Sequence, residues 1–109
     1  MPNYITIGYG DQAGYEQTAP AARDAAHAND HELKRRGALI GIAGSPVPVR
    51  NPDAAGVQIE NAAFMSSSLP IAGFAVIEAA DMTEAVKLVS QSPCAVAHGV
   101  LEIWPLVES

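Results

Sequence analysis

One cysteine stands among 109 residues, so no disulfide can form within the chain and a reducing compartment is expected. Basic side chains are scarce: six Lys and Arg face twelve Asp and Glu, a net charge of −6. Such a surface repels phosphate backbones, which argues against nucleic acid and anionic bilayers as partners. No apolar run approaches the roughly 20 residues that a transmembrane helix needs. Met1-Pro2-Asn3-Tyr4 carries no basic residue and no long apolar stretch follows it, so no secretory leader is read. The Asn-X-Ser/Thr glycosylation pattern does not occur, and the chain reads as a complete cytoplasmic protein. Charged residues make up only 17% while apolar ones reach 49%, which excludes disorder. The length suits one domain with its own core, and two would not fit.

The order of elements follows from apolar spacing and turn residues. Tyr4 to Tyr9 alternates as a strand, with Ile5 and Ile7 on one face, assigned to the helices. Gly10 to Gln17 reads as a glycine-containing loop. A helix is expected from Thr18 or Ala19, with Pro20 in its first turn, to about Arg36, with Gly37 as its stop. Lys34, Arg35 and Arg36 fill its last turn, where positive charge suits the helix dipole. Its apolar face is thin, with Ala22, Ala26 and Leu33 interrupted by Asn29. Ala38 to Ala43 is a second strand, and Gly44 to Gly56 a loop containing the Asn51-Pro52-Asp53 turn signal. Val57 to Glu60 and Phe64 to Ser67 are paired as a short hairpin. Ile71 to Ala79 is a near-continuous apolar strand.

Asp81-Met82-Thr83-Glu84 is a variant capping box that opens a second helix. Met82, Ala85, Val86 and Val89 form its apolar face, and Ser92-Pro93 ends it. Val100 to Trp104 is the last strand, closed by Pro105. This order predicts an α+β fold, the ferredoxin-like split βαβ sandwich. Both helices then cover one sheet face. Phe74, Val76, Val100 and Trp104 point to the other, and such a patch calls for a partner, so a homodimer is expected.

The final third also resembles a known family. Gly73-Phe74-Ala75-Val76-Ile77-Glu78-Ala79, then Asp81-Met82-Thr83-Glu84-Ala85, Ser92-Pro93-Cys94 and Leu101-Glu102-Ile103-Trp104-Pro105-Leu106 are similar to the YCII-related family. The likeness is to the branch named after an Asp-Gly-Pro-Phe (DGPF) motif. Met65-Ser66-Ser67-Ser68-Leu69-Pro70 stands in the place of that motif, and Trp104 stands where the family often has arginine. The resemblance implies a dimeric α+β barrel, usually without a cofactor. Some relatives look like small-molecule enzymes, including a dehydrochlorinase acting on a chlorinated hydroxyquinol. A histidine on the first helix is the family's suggested catalytic residue, and His27 lies nearest to that place.

Asp24, His27 and His31 share one helix face by i+3 and i+4 steps, and Asp30 is three residues from His27. A carboxylate beside an imidazole fixes its tautomer and suits it to acid–base work. The alternative is a solvated helix face. His27 and His31 supply only half a metal site, so no metal is expected. Glu78 and Glu102 fall on the barrel face near one end, two strand spacings or about 10 Å apart. They are candidate pocket acids or structural hydrogen-bonding groups. Trp104 is read as a dimer anchor, with ligand stacking as its alternative. Cys94 is read as a small, partly buried thiol, and Gly8-Tyr9-Gly10 with Gly14 as a plain turn. Two functions follow: a cofactor-free lyase or isomerase using His27, or a non-catalytic module binding a small molecule or partner. A purely structural dimer is a third.

Overall fold

The computed structural model describes residues 1–107. Its main sheet has four strands: β1 (Asn3–Tyr9), β2 (Leu39–Ile42), β5 (Ile71–Glu78) and β6 (Val100–Leu106). Their order is β2-β5-β1-β6, and every neighbouring pair is antiparallel. The chain is therefore mixed α+β. No helix among the described residues is long and apolar enough to cross a membrane.

The register of β1 corrects the side assigned to its isoleucines. Ile5 lies opposite Val76 and Trp104, and Ile7 opposite Phe74 and Glu102. Residues directly opposite one another share a face. The isoleucines therefore lie on the open face, while Tyr4, Thr6 and Gly8 are buried toward the helices. Alternation in a strand fixes which residues go together; the side they take is set by their neighbours.

The segment Gly10 to Gln17, expected as a loop, instead contains helix α1 (Gln12–Gln17). Asp11 caps it by accepting a hydrogen bond from the Gly14 amide at 2.8 Å. A Cβ on Gly14 would run into the Ala97 carbonyl, so this glycine serves close packing as well as local geometry. Helix α2 (Pro20–Arg35) follows, with Ala19 at its cap and Pro20 at N1. It ends in a Schellman arrangement. The Gly37 amide, at φ 103°, bonds the Lys34 carbonyl, and the Ala38 amide bonds that of Leu33.

Ala26 and Leu33 are buried under α2, and the interrupting Asn29 is half-buried. Its Nδ2 donates to the Leu88 carbonyl at 3.1 Å and to Ser92 Oγ at 3.4 Å. A polar residue on the inner face thus ties the two helical segments together.

The expected hairpin forms with a different partner. β3 (Val49–Arg50) pairs with β4 (Gln58–Ile59), around a 3-10 turn over Pro52–Ala54. Asn51 Oδ1 accepts from the Gly56 amide at 3.0 Å, so the Asn-Pro-Asp signal closes this ribbon rather than interrupting a loop. Phe64 lies under the Arg50 guanidinium, 5.2 Å from the ring centroid, instead of forming a strand.

Helix α3 (Met82–Val89) is capped as its sequence suggests. Asp81 accepts from the Glu84 amide at 2.9 Å, and Glu84 accepts from the Ala80 amide at 3.1 Å. Ala85 and Val89 are buried and Leu88 packs against them, whereas Met82 and Val86 stay exposed. α3 ends earlier than Ser92-Pro93, at Val89 with Ser90 as its cap, and Ser92-Pro93 instead opens a short helix, α4 (Pro93–Val96). β6 runs through Pro105 to Leu106 instead of closing at the proline. As an edge strand it has no outer ladder bond for that proline to break.

The core lies between helices and sheet, around Tyr4, Leu33, Ala75, Ile77, Ala85 and Val89. On the opposite face Phe74 is 48% exposed and Trp104 53%. One turn is especially tight. A Cβ on Gly99 would fall on the Tyr9 carbonyl oxygen and lie 2.7 Å from that of Cys94. Gly99→Ala is expected to lower unfolding stability by about 3 kcal/mol, because backbone must move to admit the methyl group. Urea unfolding followed by circular dichroism measures this, and an unchanged midpoint would contradict it.

Candidate functional site

The helices do not cover the sheet completely. Between α2, α1, α4 and the inner face of the sheet lies an open cleft of about 870 Å³. Its floor is apolar, with Leu33, Ile40, Ala75, Ile77 and Val89. Its titratable groups come mostly from α2. His27, Asp30 and His31 all line the cleft, as the shared helix face requires. Asp24, from the same candidate set, is exposed and is not among the lining residues.

The group bonded to His27 is not a carboxylate. The Tyr15 hydroxyl and His27 Nε2 lie 3.0 Å apart. With the proton on Nδ1 the phenol donates to Nε2; with the proton on Nε2, as in the imidazolium form, Nε2–H donates to the phenol oxygen. The rings sit 5.9 Å apart between centroids, and Arg23 lies 4.8 Å over the Tyr15 ring. Arg23 and His27 are one helical turn apart, so α2 holds the tyrosine from both sides. Tyr15 lies in α1, in a stretch whose glycines give it the sequence character of a loop. The cap signal Asp11-X-X-Gly14 was there to be read.

Asp30 sits deeper. Burial pushes its carboxyl above the usual value of 3.8, opposed by Lys34, by a hydrogen bond from the Ser92 hydroxyl, and by His27 and His31. The folded state therefore keeps this proton to higher pH than the unfolded chain does. Its contribution to stability is full below pH 3.8 and is lost as pH rises through the folded value. Asp30→Asn, which retains a group able to bond Ser92, is expected to melt above the wild type at pH 7. The difference should vanish as pH falls below 3.8. Calorimetry across that range decides the point, and a variant that melts below the wild type at pH 7 would contradict it.

Cys94 also lines the cleft. Burial raises its thiol pKa, and the Asp30 charge raises it further. A Cβ on Gly8 would meet its Sγ at 2.6 Å, so Gly8 is the space that the thiol occupies. A thiol held in its neutral form is a poor nucleophile. Among the described residues, no group of three or more His, Cys, Asp and Glu is placed to hold a metal ion.

The pocket candidates on the other face are not part of this cleft. Glu102 Oε1 accepts from Trp104 Nε1 at 2.8 Å and from the Tyr9 hydroxyl at 3.3 Å. Desolvation and then the Glu102 charge raise the Tyr9 pKa. Glu78 lies opposite Asn3 on β1, whereas Glu102 lies opposite Ile7. Four residues along the strand and two strand spacings put them about 17 Å apart, not 10. The expectation that they share one end is therefore corrected: the common neighbour β1 aligns them at different heights. Comparison of the chain with known protein families and with curated proteins finds no match to either.

Proposed function

We propose that this chain is a YCII-like, cofactor-free enzyme of lyase or isomerase type, acting on a small, partly apolar molecule in the cleft. The observation that carries this reading is the hydrogen-bonded Tyr15–His27 pair at the edge of an apolar cavity. His27, with Nε2–H donating to the Tyr15 oxygen, takes a proton from the substrate at Nδ1 and returns it at the neighbouring position or to the leaving group. Tyr15 holds the ring and selects the tautomer. Asp30, close enough to interact with the His27 charge, steadies the imidazolium. His31 extends the same face one turn on.

The strand order, with helical crossovers from β1 to β2 and from β5 to β6, supports a ferredoxin-like sandwich. The half-exposed Phe74 and Trp104, with Val76 and Val100, support closure of the open face by a second copy, giving a dimeric α+β barrel. A single neutral thiol suits a reducing cytoplasm.

A non-catalytic binding module is the second reading. The apolar floor favours it, since it can bury the apolar part of a ligand without any chemistry. Turnover of wild type and His27→Asn, on a compound found by thermal-shift screening, separates the two. The enzyme loses its rate on substitution, and the binding module has none to lose.

A further inference from the structure

Charge of one sign in the cleft is engaged, and charge of the other is free. Two acids face the cavity, Asp11 and Asp30. Asp11 accepts from the Gly14 amide as the cap of α1, and Asp30 is half-buried with Ser92 as a polar neighbour. The basic groups nearby are mostly occupied as well. Arg35 and Arg36 pair with Glu32, and Arg23 lies over the Tyr15 ring. Lys34 and His31 differ. Both line the cleft from the same stretch of α2, and neither side chain has a hydrogen-bond or ion-pair partner among the described residues. Lys34 is near enough to Asp30 to favour its ionisation, yet the two are not in ion-pair contact. The apolar side chains of Ile40 and Ile77 line the same cleft.

We propose that the cleft takes an amphipathic carboxylate, its anionic head on Lys34 and His31 and its apolar tail along Ile40 and Ile77. The inference rests on the reading of this cleft as the ligand site and adds the class of ligand. A chain with a net charge of −6 repels anions in general. An uncommitted ammonium and an uncommitted imidazole in a cleft with apolar lining therefore select for an anion whose tail can be buried. The ammonium of Lys34 contributes charge, and the imidazole of His31 a second donor.

The test uses octanoate, octylamine and octanol, matched in chain length, with calorimetric titration of the full chain. Octanoate is expected to bind at least about ten-fold more tightly than octylamine. Lys34→Gln should weaken octanoate about five-fold, the size of one solvent-accessible ion pair, and leave octanol unchanged. Lys34 is exposed, so this variant should fold. Octanoate should shift the backbone NMR signals of Lys34 and Ile40 and spare Trp104. Absence of binding by all three probes, equal binding of amine and acid, insensitivity to Lys34→Gln, or shifts centred on Trp104 would each overturn the proposal. His27→Asn should retain octanoate binding, so failure here is distinguishable from failure of the catalytic reading, which is judged on turnover.

Discussion

His27→Asn is expected to lower kcat by about 10² or more while leaving the fold intact. The factor is that of losing a positioned general acid–base. Stability should hold because His27 is exposed and its one side-chain hydrogen bond goes to Tyr15, itself on the short helix α1. Removing that bond deprives no buried group of a partner. Tyr15→Phe should give a smaller loss, about ten-fold, chiefly in kcat. It leaves the imidazole in place and removes only the group that orients it. The two variants together should lose less than the product of their separate effects, because they act as one unit. An active protein in which His27→Asn keeps full turnover would remove this mechanism. Steady-state kinetics beside melting curves supply both readouts.

For the proposed dimer, Trp104→Glu is expected to convert a two-chain particle into a one-chain particle at micromolar concentration. Trp104 lies on the face of the sheet that carries Phe74, Val76 and Val100, none of which the helices cover. Large aromatics buried in an interface carry much of its association energy. Replacing the indole with a carboxylate loses that area and also sets a second negative charge beside Glu102, whose Oε1 now accepts from Trp104 Nε1. A loss of about 3 kcal/mol, or at least a hundred-fold in the dissociation constant, follows. The isolated chain should remain folded, because Trp104 is already 53% exposed in it and lies outside the buried core. Val86→Glu is the control: Val86 is exposed on helix α3, in the opposite layer, and should leave the mass unchanged. Sedimentation velocity on the three proteins measures both effects. A wild type that sediments as one chain would defeat the expectation at once.

Much of this architecture was legible in the residues themselves, because local chemistry determines it. Pro20 and Gly37 bound α2, since proline costs nothing in a first turn and glycine accepts the positive φ of a Schellman end. Asp81 and Glu84 bound α3 through reciprocal backbone hydrogen bonds. Period-two alternation placed Phe74, Val76 and Glu78 on one face, and Val100, Glu102 and Trp104 on one face, as the register has them. Helical spacing brought His27, Asp30 and His31 to one cleft.

What only the tertiary structure decided are the relations between segments distant in sequence. The side taken by Ile5 and Ile7 depended on which strands flank β1, because alternation carries phase and not direction. The separation of Glu78 and Glu102 depended on the register of two strands against a third, which long-range pairing sets. The partner of His27 depended on α1, a helix too short to be stable on its propensity alone. Its cap at Asp11 and its close contact at Gly14 with the Ala97 carbonyl hold it in the fold. That packing carries Tyr15 to the imidazole, and no spacing along the chain encodes it.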